Sequence, residues 1–165
     1  SRNLLIDNSK STIDNIINNI RRVSRDLAPA VLFELGLEEA IHQIDQKLST
    51  LTNAQVEFSI QCDLSMLSSS QSLAIYRVLQ EGLNNVLKHA AASKIHVEIR
   101  CDVDTLVISI ADDGGGFDFD ENQDGFGLSN IKARANMFGG SLSIVSTPEA
   151  GTALTVKMKT DNHEN

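Results

Sequence analysis

The amino-acid sequence predicts an α+β fold: a two-layer sandwich in which helices cover one face of a mixed β-sheet, preceded by a helical segment. The first observation is that two periodicities alternate. Apolar residues recur every three to four positions in some stretches and every second position in others, which indicates helices and half-buried strands. The second is their order: helix, strand, helix, strand, strand, helix, strand, strand. This order is typical of one sheet covered on one side by helices.

Residues 2–28 are predicted to form a helix with a heptad seam, because the apolar positions follow alternating steps of three and four, with Ser9 as the one break. These positions are Ile6, Ile13, Ile16, Ile20, Val23 and Leu27. Such a seam needs a partner helix, so we expect it to dimerise or to pack on a helix outside this chain; packing on its own domain is the alternative. Pro29 and Gly36 interrupt the pattern, and a second helix is expected from about 37 to 51.

The remaining elements follow from the same periodicities. A strand is expected over residues 55–62, and serines 68–70 are expected to cap a central helix that runs to about Ala90. Two strands joined by Asp-Val-Asp favour an antiparallel hairpin. A glycine-rich segment and a helix ended by two glycines come next, and two more strands complete the domain. The expected bounds are 95–101 and 106–110 for the hairpin, 112–127 for the glycine-rich segment, 128–138 for the helix, and 141–147 and 152–159 for the last strands.

The composition limits the kinds of partner. With 22 acidic and 14 basic residues among 165, the net charge is −8, which argues against binding nucleic acid through a broad basic surface. No apolar run approaches the roughly 18 residues of a membrane span, and the start lacks the pattern of a signal peptide. We therefore expect a cytoplasmic piece without membrane contact of its own, although a fragment of a membrane receptor would look the same.

The two cysteines are expected to be reduced. Cys62 ends the alternating series of one predicted strand and Cys101 ends that of another, far apart in sequence and without a C-x-x-C spacing. We interpret both as core or edge residues, with a disulfide as the less favoured alternative.

The central helix combines an apolar face with a chemical one. At roughly 100° per residue, Glu81, Asn85 and Lys88 fall on one stripe. The opposite arc carries Ile75, Tyr76, Leu79, Leu83, Val86, Leu87 and Ala90. A carboxylate, a carboxamide and an ammonium in this order can hold a water, a hard cation and an anion, which suits a magnesium nucleotide. The alternative is a solvated face with a salt link between Glu81 and Lys88.

A glycine-rich segment, Ala-Asp-Asp-Gly-Gly-Gly-Phe-Asp, covers residues 111–118 directly after a strand. Consecutive glycines there are tolerated where a ligand or another backbone comes close. A carboxylate fixed at this rim can accept a hydrogen bond from an exocyclic amine such as that of adenine. The alternative is a turn in which Asp112 and Asp113 are solvated.

A second glycine cluster, Gly125-Phe126-Gly127-Leu128, stands at a predicted helix start. Exposed amides at a helix start bind anions, and glycine lets a phosphate approach them. The cluster is not a P-loop, because the Gly-Lys-Ser/Thr ending is missing, and it is not the dinucleotide fingerprint, because no G-x-G-x-x-G follows a first strand. A helix preceded by an ordinary loop is the alternative.

The combination of motifs resembles the Bergerat-fold ATPases, the superfamily of gyrase-type topoisomerase subunits, mismatch-repair ATPases, heat-shock chaperone ATPases and sensor histidine kinases. The motifs are Glu81 and Asn85 on one helix, D-x-G-x-G at Asp112, Gly114 and Gly116, G-x-G-L at Gly125 and Gly127, and Gly-Thr at Gly151 and Thr152. The words E-G-L-N-N-V-L-K-H-A, G-F-G-L-S-N-I-K-A-R and G-G-S-L-S-I are similar to two-component histidine kinases of the nitrate-sensor and DesK type. The resemblance covers about 21–158.

The resemblance implies a division of the chain into four segments. Residues 1–28 would be part of the second helix of a dimerisation and phosphotransfer hairpin, and residues 29–51 a hinge and linking helix. Residues 52–160 would be a catalytic ATP-binding domain, and residues 161–165 a tail.

It also implies ATP and Mg²⁺ as ligands. Asn85 would coordinate Mg²⁺, Glu81 would act as base or water-holder near the γ-phosphate, and Lys88 and His89 would approach the phosphates. At the other end, Asp112 would take the adenine amine, with Thr152 supporting it through water. Room for the base would come from Gly114 and Gly116, contacts to the phosphates from Gly125, Gly127 and the helix start at Leu128, and a short lid from residues 117–124.

One departure from the family's pattern concerns the phosphoacceptor. The family carries its acceptor histidine in an Arg-Asp/Glu-Leu-His-Asp type of word, which is missing here, and His42, His89, His96 and His163 stand in other contexts. We therefore expect a chain that binds ATP without labelling itself on histidine. In the intact homodimeric protein, the γ-phosphoryl group would pass to a histidine of the absent helix and then to a response regulator. The alternatives are an anti-sigma serine kinase of the same fold and a non-catalytic nucleotide-binding dimerisation module.

Overall fold

The computed structural model describes residues 30–118 and 126–160. The helices are α1 (Ala30–Glu34), α2 (Gly36–Leu51), α3 (Ser69–His89) and α4 (Phe126–Met137), with a 3₁₀ turn at Leu64–Met66. The strands are β1 (Gln55–Gln61), β2 (Lys94–Cys101), β3 (Thr105–Asp112), β4 (Ser141–Ser146) and β5 (Thr152–Lys159). The predicted elements in these ranges are confirmed, with boundaries that differ by one or two residues.

The five strands form one sheet in the order β1-β2-β3-β5-β4. β1 and β2 are parallel and connected through α3, whereas every other neighbouring pair is antiparallel. The predicted mixed sheet and the predicted hairpin of β2 and β3 are both confirmed.

The core lies on one face of the sheet, where the inward residues of the strands meet α2, α3 and α4. Fully buried members from this layer include Ile75, Leu79, Val97, Ile99, Leu106, Ile108, Ile131, Val156 and Met158. Residues of α2, among them Ala40 and Ile41, belong to the same core. Leu87 was predicted to share the apolar arc of α3 but is 36% exposed, because its position on the helix turns it away from the sheet.

The start of α3 is fixed by side chains. The Ser68 hydroxyl accepts from the Gln71 backbone amide, and the Gln71 side chain accepts from the Ser68 amide, which together form a capping box. Gln71 is 1% exposed and also donates to the Lys159 carbonyl oxygen at 3.1 Å. The predicted serine cap is confirmed, and it ties α3 to the last strand.

The expectation of reduced cysteines is wrong in this structure. Cys62 and Cys101 form a disulfide, with their Cα atoms 4.9 Å apart. Gln61 and Arg100 are register partners on the parallel strands β1 and β2, so the next residue of each strand lies beside the other. Sequence separation hid this proximity, because the α3 crossover returns the chain to the neighbouring strand.

Several sequence predictions fall outside the described residues: the heptad helix of residues 2–28, Gly125 and most of the lid, and the tail of residues 161–165. The boundary near residue 52 stays a prediction. Among the described residues, no helix is both long and apolar enough to cross a membrane.

Candidate functional site

The site begins at one end of the sheet, where a row of polar residues replaces the apolar layer. Asp112, Thr152 and Ser146 are register partners on β3, β5 and β4. Each continues a series of inward-facing apolar residues, such as Leu106, Ile108 and Ile110 before Asp112. All three polar residues are half-buried. The sheet therefore presents three adjacent oxygen-bearing side chains at the rim of its covered face.

The Asp112 carboxylate is oriented by its own loop. Its Oδ1 atom accepts a hydrogen bond from the Gly114 amide at 2.9 Å. A carboxylate has about four acceptor positions, so this bond fixes the side chain and leaves acceptor capacity for a ligand. The role of Asp112 in binding an amine stays a prediction.

The glycines of this loop are required by close backbone contacts. A Cβ atom at Gly114 would overlap the carbonyl oxygen of Ala90, and Gly115 donates to that oxygen at 2.8 Å. Gly116 and Gly151 have φ values of +56° and +77°, and an added Cβ on either would overlap a carbonyl oxygen. The loop after β3 is therefore packed against the end of α3 and against the β4–β5 turn.

Asp113 forms structural hydrogen bonds, whereas the neighbouring Asp112 is predicted to bind a ligand. Its Oδ1 accepts from the amides of Ser93 and Lys94, each at 2.7 Å, and its Oδ2 accepts from the Ser93 hydroxyl. The hydrogen bonds from the Ser93 hydroxyl and the Lys94 amide hold the pKa of the Asp113 carboxyl below its usual range. Asp113 thus fastens the loop to the start of β2.

On α3, Glu81 and Asn85 are half-buried, whereas Lys88 and His89 are exposed. No ion pair joins Glu81 to Lys88 in the described part of the chain, so the alternative of a salt-linked surface is not supported. Glu81 instead lies against the start of α4: a Cβ at Gly127 would stand 2.5 Å from its Oε1 atom. Two predicted site residues from distant motifs are therefore in contact.

The second glycine motif lies in the first turn of α4, since this helix begins at Phe126. Gly127 and Leu128 are both half-buried, and Leu128 packs against the core. Amides of this first turn have no partners within the helix, as in any helix start, and suit an anion.

The two glycine motifs meet α3 at separate points. The first touches Ala90 and the second touches Glu81, nine residues earlier. At 1.5 Å per residue these points are roughly 13 Å apart along the helix. Asn85 and Lys88, the predicted cation and phosphate residues, lie between these two points along α3. A groove of about 350 Å³, lined by apolar residues such as Leu32 and Leu64 and by polar residues such as Glu38 and Ser69, is separate from this site.

Sequence reasoning missed Ser146. The signal was available, because Leu142 and Ile144 lead to Ser146 with the same spacing of two by which Ile108 and Ile110 lead to Asp112. The short connection between the last two predicted strands brings the two residues near each other, but the register that pairs Ser146 with Thr152 comes from the sheet.

The chain is similar in sequence to known proteins. The family model described as histidine kinase-, DNA gyrase B- and HSP90-like ATPase matches residues 70–162. The sensor histidine kinase MctS of Rhizobium johnstonii is 35% identical over 159 residues, which cover 94% of this chain and 34% of MctS. The signal transduction histidine-protein kinase/phosphatase UhpB of Salmonella typhimurium is 33% identical over 144 residues, covering 87% of this chain and 28% of UhpB. The chain therefore spans about a third of the length of these relatives.

Solved structures share the fold at lower identity. The Acinetobacter baumannii histidine kinase AdeS superposes with a TM-score of 0.63 at 15% identity, over 93% of this chain and 84% of AdeS. A histidine kinase domain from the Erythrobacter litoralis EL346 blue-light activated histidine kinase gives a TM-score of 0.62 at 16% identity, over 74% and 63% of the two chains. These likenesses confirm the α+β architecture. The family match confirms the resemblance drawn from the motifs, and the chain belongs to the histidine kinase-, DNA gyrase B- and HSP90-like ATPases.

Proposed function

We propose that this chain is the ATP-binding catalytic region of a two-component sensor histidine kinase. It would position ATP so that the γ-phosphoryl group passes to a histidine on a dimerisation helix, for relay to a response regulator. The observation that carries the proposal is the row of Asp112, Thr152 and Ser146 at the sheet end, with α3, the helix that carries Glu81 and Asn85, packed on β3. The sensor histidine kinase relatives support the same class of reaction.

In this proposal the base and the phosphates are held at different places. The Asp112 carboxylate accepts from the adenine amine, and the loop with the buried Gly114 and the half-buried Gly116 forms the floor beside it. The phosphates extend along α3 toward Gly127, where the amides of the first turn of α4 donate to them. Lys88 and His89 are exposed and supply donors and charge from α3.

The residues present fit a magnesium ion shared with the nucleotide. Asn85 offers a half-buried carboxamide oxygen, which is a hard ligand suited to Mg²⁺. Within residues 30–118 and 126–160, no group of three or more His, Cys, Asp or Glu side chains could hold a metal by itself. Mg²⁺ commonly uses one or two protein oxygens together with substrate phosphates and waters, so a single protein ligand is consistent with this ion. When bound, the ion neutralises charge on the phosphates.

The contribution of the chain itself to phosphoryl transfer is mainly alignment, since little covalent chemistry is required of the protein. Glu81 is positioned by its contact with Gly127 to accept a proton or to hold a water near the γ-phosphate. The acceptor histidine, the homodimer contacts and the response regulator belong to the intact protein in this proposal. We also propose a cytoplasmic location, where ATP and the regulator are present.

Base recognition is tested by nucleotide binding. Asp112→Asn keeps the side-chain volume but replaces one acceptor oxygen by a donor group, so ATP affinity should fall by about tenfold or more. Asp113→Asn is the matched control, because Asp113 contacts only Ser93 and Lys94 among the hydrogen bonds described. Its ATP affinity should stay within about twofold of wild type. Equal losses in the two variants would contradict the assignment of Asp112.

Magnesium binding is tested separately on α3. Asn85→Ala should remove most of the Mg²⁺-dependent part of ATP affinity, a loss of about tenfold that is absent when EDTA replaces Mg²⁺. Asn84→Ala is the matched control on the same helix, since residue 84 points about 100° away from residue 85. An unchanged dependence on Mg²⁺ in Asn85→Ala would remove Asn85 from the cation site.

A further inference from the structure

Ser146 is held by several partners at once. Its hydroxyl donates to the carbonyl oxygen of Gly151 at 3.1 Å. It accepts from the backbone amide of Phe117 at 3.0 Å, and the hydroxyl oxygen of Thr152 lies 2.9 Å away. A serine hydroxyl has one hydrogen and two lone pairs. These three contacts therefore use its full hydrogen-bonding capacity.

The contact with Gly151 decides the direction of the contact with Thr152. A carbonyl oxygen can only accept, so the single hydrogen of Ser146 points to Gly151. The hydrogen between the two hydroxyls must then come from Thr152. Thr152 has no further hydrogen to donate from its side chain, and its remaining capacity is that of an acceptor.

Thr152 uses this capacity next to Asp112. The two residues are register partners on β5 and β3, and their side chains lie on the same face of the sheet. A carboxylate is an acceptor too. The rim therefore presents two adjacent acceptors, which suit a ligand group or a bridging water that donates.

We propose that Ser146 is a positioning residue for base specificity, which acts by locking the Thr152 hydroxyl as an acceptor. This inference rests on the proposed function, because it takes the row as the place where the base binds. Adenine carries a donating amine at position 6, whereas hypoxanthine carries an accepting oxygen there. With Thr152 locked, the oxo group faces acceptors only and is rejected. Without Ser146, the Thr152 hydroxyl can rotate and donate to it.

The test compares the dissociation constants of ATP and ITP for the full chain. Ser146→Ala should reduce the preference for ATP over ITP by about fivefold, mainly by tighter ITP binding. Ser143→Ala is the matched control, because Ser143 is exposed on the opposite face of the same strand. It should leave the preference unchanged. Equal weakening of both nucleotides in Ser146→Ala, which is the result of a packing defect, would overturn the proposal.

Further variants separate orientation from stability. Ser146→Thr keeps the hydroxyl and should keep the preference for ATP. In Ser146→Cys the side chain has nearly the same volume but forms only weak hydrogen bonds. This variant should therefore lower the preference for ATP over ITP as Ser146→Ala does, and it remains informative if Ser146→Ala fails to fold. In a Thr152→Val background no hydroxyl remains at position 152 to be oriented. Adding Ser146→Ala should then leave the ratio of the ATP and ITP dissociation constants unchanged. A ratio that still shifts in that background would overturn the proposal.

The outcomes also distinguish this inference from the proposed function. If the wild-type chain binds neither ATP nor ITP, both the proposed function and the role of Ser146 are contradicted. A wild-type chain that prefers ATP, with the same preference in Ser146→Ala, would leave the proposed function intact and remove the role of Ser146.

Discussion

The carboxylate of Glu81 lies so close to Gly127 that a single Cβ atom on residue 127 would stand 2.5 Å from Oε1. This contact joins the middle of α3 to the first turn of α4, two helices that pack against each other. Glycine at position 127 therefore sets the position of the Glu81 side chain as well as the path of the helix.

Gly127→Ala should separate stability from activity. Alanine is favoured over glycine within a helix by about 1 kcal/mol, so the melting temperature should stay unchanged or rise slightly. The Glu81 carboxylate must move to make room, so the rate of phosphoryl transfer should fall by about tenfold or more. The measurements are thermal unfolding and single-turnover transfer to an acceptor helix.

The control for this prediction is the Glu81→Ala variant. Once the carboxylate is removed, Gly127→Ala has nothing to displace, so the double variant should match Glu81→Ala alone. A further loss of activity in the double variant would show that Gly127 acts through another contact.

The glycines after β3 offer a matched pair. A Cβ at Gly114 would overlap the backbone oxygen of Ala90, whereas the nearest atom to a Cβ at Gly115 is 3.9 Å away. Gly114→Ala should therefore lower the free energy of unfolding by about 3 kcal/mol and weaken ATP binding, because the loop must leave α3. Gly115→Ala should change stability by less than about 0.5 kcal/mol. Urea unfolding measures both, and similar values for the two variants would contradict the described packing.

The hydrogen bonds from Ser93 and Lys94 to the Asp113 carboxylate predict a pH dependence of stability. Its folded-state pKa is depressed by the hydrogen bonds from Ser93 and Lys94, so the ionised form stabilises the fold above the ordinary value of 3.8. This stabilisation is lost as the pH falls through the lower folded-state pKa. Between about pH 4 and pH 2, the urea midpoint of wild type should fall more steeply than that of Asp113→Asn. If the urea midpoints of the two proteins fall in parallel with pH, the hydrogen bonds to the Asp113 carboxylate do not contribute to the stability of the fold.

The disulfide predicts redox-dependent stability without a change in nucleotide binding. It links residues 39 positions apart, and such a bond contributes roughly 2–4 kcal/mol to the free energy of unfolding. Cys101 ends β2, whereas Asp112 pairs with Ile95 at the beginning of β2, roughly 20 Å away. A reducing agent should therefore lower the unfolding midpoint and leave ATP affinity unchanged.

The Cys62→Ser, Cys101→Ser double variant is the control, and its midpoint should be insensitive to reductant. Two titratable thiols in the oxidised wild-type protein would show that the bond does not form.

The strands and helices were predictable because burial on one face imposes a period on each element. The inward series of β3, from Leu106 through Ile108 to Ile110, predicted a strand before any partner was known. The strand order was not predictable from these periods. It follows from which edges pair across the sheet, and this is why Cys62 and Cys101 were assigned wrongly.

The candidate site was predictable where its residues belong to short sequence motifs. Two such motifs are the pair Glu81 and Asn85, and Asp112 with the glycines that follow it. The structure brings Glu81 together with Gly127. The role of Ser146 depends on its register with Thr152, which only the folded sheet defines. The reason for glycine at position 114 likewise became clear from its packing on Ala90.

The most direct test of the central claim is transfer of labelled γ-phosphate from ATP to a separately produced dimerisation helix that carries the acceptor histidine. With Mg²⁺ present, the wild-type chain should give acid-labile, alkali-stable phosphate on the helix and none on itself, and Asn85→Ala should give much less. Tight ATP binding with an unlabelled helix would contradict the account, as would acid-stable phosphate on a serine.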